Sequence, residues 1–156
     1  MRFVKLVLSL VFCFAAGAAG AAVISQAIPS WYATLEKPSF APPARIFGPV
    51  WSALYLMMGI AAWIVWSKGL KEEAVRKGLA LFLFQLALNS VWSYLFFGLR
   101  SPFCGLLDIL FLWAAILATI GQFSKVSITA AVLLIPYLAW VTFAAGLNFG
   151  ICLLNR

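Results

Sequence analysis

The polar residues of this chain fall between long apolar runs rather than alternating with apolar ones. The runs cover residues 3–27, 46–67, 78–98, 103–123 and 128–153. About 20 residues of helix, at 1.5 Å each, cross the roughly 30 Å hydrocarbon core of a bilayer. Each run is therefore long enough to span. The polar joints at 68–77, 99–102 and 124–127 are short, and only the connection at 28–45 is long. The pattern predicts an all-α membrane protein: a five-transmembrane-helix bundle forming a single domain over residues 1–156, with one substantial loop between helices 1 and 2. No repeat, linker or low-complexity segment suggests a second domain.

The first run admits a second reading. Arg2 and Lys5 precede an apolar stretch that ends in small residues, the layout of a cleavable signal peptide. The stretch nevertheless stays apolar through Ile28, and Ala16, Gly17, Gly20 and Ala21 have the small-xxx-small spacing that lets helix backbones approach. A retained first helix is the expectation. Gly146 and Gly150 predict a similar packing notch in the last helix.

Composition agrees and removes whole classes of chemistry. The chain is 65% hydrophobic and 10% charged, against roughly 45–50% and 25% in ordinary soluble domains. It has no histidine, which excludes Ser-His-Asp and Cys-His nucleophiles, His-rich zinc sites and a proximal-His haem ligand. Cys13, Cys104 and Cys152 lie in apolar runs without CxxC spacing, as expected of small buried hydrophobes. No metal site is expected. The net charge of +7 comes from eleven scattered cations at the ends of apolar runs, a headgroup-anchoring pattern and not a nucleic-acid footprint. Seven of them, Arg2, Lys5, Lys68, Lys71, Arg76, Lys77 and Lys125, lie on the N-terminal side, against Lys37, Arg45, Arg100 and Arg156 on the other. The bias predicts a cytoplasmic N-terminus and an external long loop.

Alternating helix direction assigns each residue a depth. Trp51 and Tyr55 share a face of helix 2 just beneath the loop side. Asn89, Trp92, Ser93 and Phe96 form a stripe at i, i+3, i+4 and i+7 on helix 3, with Gln85 one turn deeper. Asp108 enters helix 4 by about one turn, and Trp140, Ala144 and Asn148 rise along helix 5. The intramembrane amides, the one intramembrane acid and three tryptophans thus gather in the half-bilayer under the loop. Polar groups in hydrocarbon face a bundle interior or a cavity, so a pocket there is predicted. Taken singly, Asn89 and Asn148 serve equally well as interhelical hydrogen-bond donors, and Trp31, Trp63, Trp66 and Trp113 as interface anchors. The loop carries Trp31, Tyr32, Lys37, Pro38, Phe40, Pro42 and Pro43. Its prolines fix φ and its aromatics provide an apolar underside, as in a structured lid.

The run WYATLEKPSFAPPARIFGPVWSALYLMMGIAAW at 31–63, with QLALNSVWSYLFF at 85–97 and IPYLAWVTFAAGLN at 135–148, resembles the TspO/MBR family. This is the family of tryptophan-rich sensory proteins and translocator proteins, formerly called peripheral benzodiazepine receptors. The resemblance implies a five-helix bundle, often a homodimer, that binds porphyrins and, in animal members, cholesterol and benzodiazepine-type drugs. Carried over by position, the ligand pocket comprises Tyr32, Trp51, Asn89, Trp92, Asp108, Trp140 and Ala144. The sterol motif of the family needs Leu or Val, then Tyr, then a basic residue, at gaps of up to about five. Here Leu147 is followed by Phe149, and Arg156 lies seven further on, so the motif is incomplete and supports a sterol partner only weakly.

A porphyrin is a flat aromatic disc with two carboxylates. Trp51 and Trp140 are expected to bracket it and Tyr32 to close over it, since offset stacking adds about 0.5–1.5 kcal/mol beyond burial. The carboxylates would turn to the wet end near Lys37, Arg45 and Arg100. Without histidine, metal-free porphyrin is the better ligand than haem, and no resident cofactor is required. Three functions compete: a binding, sensing or transport protein for tetrapyrroles; a light- and oxygen-dependent porphyrin-degrading enzyme using Trp51 and Trp140, an activity associated with the family; and a membrane packing or regulatory subunit. A multi-pass protein of a prokaryotic cytoplasmic membrane is the expected setting.

Overall fold

All five runs fold as helices in a computed structural model that describes residues 2–155. Arg156, counted above among the cations and in the incomplete sterol motif, lies outside them. The helices are α1 (Arg2–Ala27), α2 (Phe47–Ser67), α3 (Glu73–Ser93), α4 (Pro102–Ser124), α5 (Ile128–Leu133) and α6 (Ile135–Leu154). There is no strand among the described residues. The last two helices form one span, Ile128–Leu154, so five segments are long and apolar enough to cross a membrane.

The helix limits have local causes. Ser101 and Ser127 cap α4 and α5 by accepting from the Cys104 and Ala130 amides at 3.3 and 3.4 Å. Gly69, at φ +104°, supplies the left-handed residue that turns the chain out of α2. Three features depart from the sequence expectation. α3 begins at Glu73, five residues before the apolar run, because its polar first turn closes an i,i+4 pair between Lys77 and Glu73 at 2.6 Å. The fifth span breaks at Leu134, where Pro136 in the first turn of α6 has no amide to continue the ladder. The predicted loop also starts late. α1 runs on through a π-helical turn at Ile28–Tyr32, and α3 likewise ends in a π-helical turn at Tyr94–Gly98.

The helices α1 and α2 pack side by side, as do α3 and α4, with α4 also against α6 and α1 against α3. Small residues allow this closeness. A Cβ on Gly20 would lie 2.8 Å from Ser93 Oγ, and one on Gly59 would lie 3.1 Å from the Leu10 backbone. Gly17 meets the ring of Tyr55. The notch expected at Gly146 and Gly150 is different. Nothing lies within 4 Å of a Cβ on Gly146, and Gly150 receives Pro38 of the loop instead of another helix.

Two buried clusters result. The larger, with Met58, Phe82, Ile116, Phe123 and Tyr137, fills the bundle from mid-membrane toward the end opposite the loop. The smaller, with Tyr32, Phe96, Phe97, Leu147 and Ile151, lies beneath the loop. Large apolar side chains such as Phe12, Leu83, Phe84, Phe111 and Phe149 stay exposed around the bundle, as required where hydrocarbon rather than water is the solvent.

Candidate ligand site beneath the first loop

The smaller cluster surrounds a cavity of about 50 Å³. Ile24 of α1, Tyr32 of the first π-turn, Phe47 and Trp51 of α2, Trp92 of α3, Phe96 and Phe97 of the second π-turn, and Trp140, Ala144, Leu147, Asn148 and Ile151 of α6 form its wall. Five of the seven expected pocket residues, Tyr32, Trp51, Trp92, Trp140 and Ala144, therefore share one cavity.

Asn89 and Asp108 do not line it. Asn89, one turn deeper than Ser93, accepts from Tyr55 Oη at 2.6 Å and donates to Tyr137 Oη at 3.1 Å. It is an interhelical strut joining α2, α3 and α6. Asp108 is buried on α4, which contributes nothing to the wall, and its Oδ2 has no partner. Gly105, one turn before it, lets α4 approach Phe96 and Asn148 from behind, since a Cβ there would meet both at 2.9–3.1 Å. The carboxyl thus sits behind the aromatic wall. The stripe shared with Trp92 and Phe96 fixes the depth and face of Asn89, but not which neighbour satisfies its amide.

The wall rings are held to different degrees. Trp92 stacks on Phe96 at 5.4 Å between centroids, and its Nε1 donates to Asn148 Oδ1 at 3.2 Å. Asn148 is fixed in turn by donating to the Pro102 carbonyl at 2.7 Å. Trp51 stacks on Tyr55 at 5.6 Å. Trp140 meets Phe47 edge-on at 6.1 Å, and its buried Nε1 has no hydrogen-bond partner. An unpaired buried donor costs about 1–3 kcal/mol.

The loop is tied down through several attachments, and of the residues leading into it Tyr32 lines the cavity. Asn155 at the end of α6 grips the Glu36 peptide, accepting from its amide at 3.0 Å and donating to its carbonyl at 2.8 Å. Pro38 seats on Gly150, and Phe40 meets Phe143 edge-on at 6.1 Å. Trp31 packs edge-on against Phe96 at 5.6 Å. Lys37 Nζ lies 4.9 Å above the Tyr32 ring and donates to the Leu35 carbonyl at 2.9 Å. The Pro38 carbonyl accepts from Ala41 at 2.9 Å, and Pro43 accepts from Ile46 at 3.0 Å to lead into α2, leaving Pro42 as the rigid residue between those two turns. The expected structured loop is what these residues build.

Several wall residues escaped the sequence reading. Phe47 precedes Trp51 and Tyr55 at i, i+4 and i+8, and Leu147 and Ile151 extend the Trp140–Ala144 stripe at i+7 and i+11. Those spacings were legible. The Asn155 clasp was not, because it joins residues 119 positions apart.

A second, wider groove of about 420 Å³ lies between α1 and α2. It shares Ile24, Phe47 and Trp51 with the closed cavity, and Gly17, Gly20 and Ser93 form its floor.

Comparison with known proteins decides what scaffold this is. The TspO/MBR family pattern matches residues 9–154. The chain belongs to the TspO/MBR family. It is 45% identical to the tryptophan-rich protein TspO of Archaeoglobus fulgidus over 155 residues, 99% of each chain. It is also 45% identical to the tryptophan-rich protein TspO of Chlorobaculum tepidum, over 99% of this chain and 98% of that one. The human translocator protein is 46% identical over 121 residues, 76% of this chain and 71% of its own. With five apolar helices of spanning length, this family member is a multi-pass membrane protein.

Proposed function

We propose that this TspO/MBR protein binds a porphyrin-type tetrapyrrole, metal-free in preference to haem, in the cavity beneath the lid, and acts as a sensor, transporter or regulator of such ligands. The wall of aromatic rings that brings Trp51 and Trp140 together carries the reading. A planar π-system can stack on Trp51 and Trp140. Lys37 on the lid offers a cation to a ligand carboxylate. No resident cofactor takes part, and the bilayer is the ligand's solvent.

Size sets a condition on this reading. Sites for drug-sized ligands measure about 300–1,000 Å³, whereas the closed cavity holds about 50 Å³. Binding therefore requires the wall to open. Phe47 and Trp51 form the shared partition with the 420 Å³ groove between α1 and α2, so swinging these two rings would merge the spaces and admit a ligand from the membrane.

A second reading has the same protein degrade the porphyrin under light and oxygen. It is favoured by both candidate electron-donor indoles, Trp51 and Trp140, belonging to one cavity wall. We further infer a homodimer in a prokaryotic cytoplasmic membrane with the N-terminus inside, in line with the basic-residue bias. Sterol is the weaker ligand, given the incomplete motif.

The test is a titration of protoporphyrin IX into detergent-purified protein, read by tryptophan fluorescence in the dark and then by porphyrin absorbance under illumination. Saturable quenching at micromolar ligand is expected. Its absence overturns both readings, and quenching without protein-dependent bleaching removes the enzyme.

A further inference from the structure

At the end of the bundle opposite the lid, a groove of about 450 Å³ runs between the start of α1, the end of α2 and the start of α3. Its walls are apolar. Phe12, Trp66 and Leu83 stand around a floor lowered by Ala62 and Ala80, and Arg76 lies at its mouth. On α3 its lining runs from Arg76 to Leu83, about 10 Å along the helix. The groove therefore covers roughly two-thirds of one leaflet of the hydrocarbon core.

Arg76 is the cation of its lining, and Lys5 reaches the same end through Trp66. Arg76 Nη1 donates to the Leu70 and Lys71 carbonyls at 3.0 and 2.9 Å. Lys5 Nζ donates to the Trp66 carbonyl at 3.0 Å and lies 5.5 Å from the centre of the Trp66 ring. Two cations from different helices are thus tied to the same short stretch, 66–71, which also carries Lys68 and Lys71. The nearby acids are Glu72 and Glu73, and Glu73 is engaged by Lys77. Neither Lys5 nor Arg76 forms a salt bridge within 4.0 Å among the described residues, although Arg76 helps Lys77 hold the Glu73 carboxyl below its usual range. The remaining guanidinium N–H groups of Arg76 and the Trp66 indole N–H have no hydrogen-bond acceptor among those residues either.

We propose that this groove binds one anionic phospholipid of the leaflet on the α1 N-terminal side. The phosphate is held by Arg76 and Lys5, and one acyl chain lies along the slot down to Phe12 and Leu83. Charge complementarity selects the occupant. A zwitterionic lipid brings its own ammonium group to a mouth already crowded with cations, whereas phosphatidylglycerol brings only the anion. This site shares no residue with the cavity beneath the lid, so it stands or falls independently of the tetrapyrrole reading.

Trp66 makes the site observable. Phosphatidylglycerol with dibrominated acyl chains, added to the detergent-purified full chain, should quench the fluorescence component that disappears in Trp66→Phe. Its midpoint should lie about fivefold below that of dibrominated phosphatidylcholine for each engaged cation. Arg76→Gln should collapse most of that preference, and Lys77→Gln, on the same helix but outside the groove, should preserve it. Ala80→Phe, which fills the floor without touching charge, should abolish the Trp66 component of the quenching. Millimolar inorganic phosphate should fail to displace the lipid. Equal midpoints for the two lipids, an Arg76→Gln protein that folds with its preference intact, unchanged quenching in Ala80→Phe, or displacement by free phosphate would each overturn the proposal.

Discussion

Replacing Asn155 with alanine removes both hydrogen bonds that hold the Glu36 peptide at 3.0 and 2.8 Å. A hydrogen bond contributes about 0.5–1.5 kcal/mol net, and solvent exposure puts this pair toward the low end. The two together amount to about 1 kcal/mol, or roughly a fivefold shift in the lid's opening equilibrium. Pro38 on Gly150 and Phe40 on Phe143 remain, so the lid should loosen without detaching. Hydrogen exchange followed by mass spectrometry reads this directly. Amides of the lid segment 35–41 should exchange about fivefold faster, while those in the middle of α4, far from the clasp, should not change. If opening limits binding, the porphyrin association rate should rise by a similar factor. Unchanged exchange at 35–41 in a folded Asn155→Ala protein would refute the clasp as a determinant of lid closure.

Other perturbations separate stability from binding. Trp140→Phe removes an N–H that has no partner, so thermal stability should hold within about 0.5–1 kcal/mol, whereas porphyrin affinity should fall several-fold in the fluorescence titration. Asn89→Leu strands the Tyr55 and Tyr137 hydroxyls. A loss of about 1–3 kcal/mol per stranded group is expected in thermal unfolding, largely recovered when Tyr55→Phe and Tyr137→Phe are added. Asp108→Asn removes a buried carboxylate whose Oδ2 is unpaired, so its melting temperature should equal or exceed that of the parent. A fall of several degrees would reveal a partner for that oxygen. Gly59→Leu forces α1 off α2 at Leu10, and the variant should lose helix packing, visible as a broadened melting transition.

Much of this fold was readable because the bilayer imposes a simple rule: a segment without water must satisfy its backbone internally. Run length alone therefore located five spans. It missed the start of α3, since Glu73–Lys77 is polar and sits at the membrane edge, where composition no longer reports helicity. It also missed the break at Leu134, although Pro136 was a visible signal for it. For the site, depth and face group Trp51, Trp92, Trp140 and Ala144, which share one cavity wall. Depth does not tell wall from strut, which is why Asn89 stands outside the cavity lining, and it does not tell which side of a helix layer Asp108 occupies. The closed state of the cavity was not legible at all. It depends on ring orientations set by partners far apart in the chain.

The two π-helical turns have a bearing on how the chain tolerates insertions and deletions. Each adds one residue per turn relative to an α-helix, and each ends a helix directly under the lid. In the second, consecutive residues Phe96 and Phe97 are both buried and both face the cavity, an arrangement that α-helical rotation of about 100° per residue does not readily give. Removing one residue from Ile28–Tyr32 or Tyr94–Gly98 would let the turn relax to ordinary helix and rotate everything beyond it. These ten positions, unlike the lid tip, are therefore places where chain length itself is fixed: a deletion there would reorient the wall without altering the identity of a single aromatic residue.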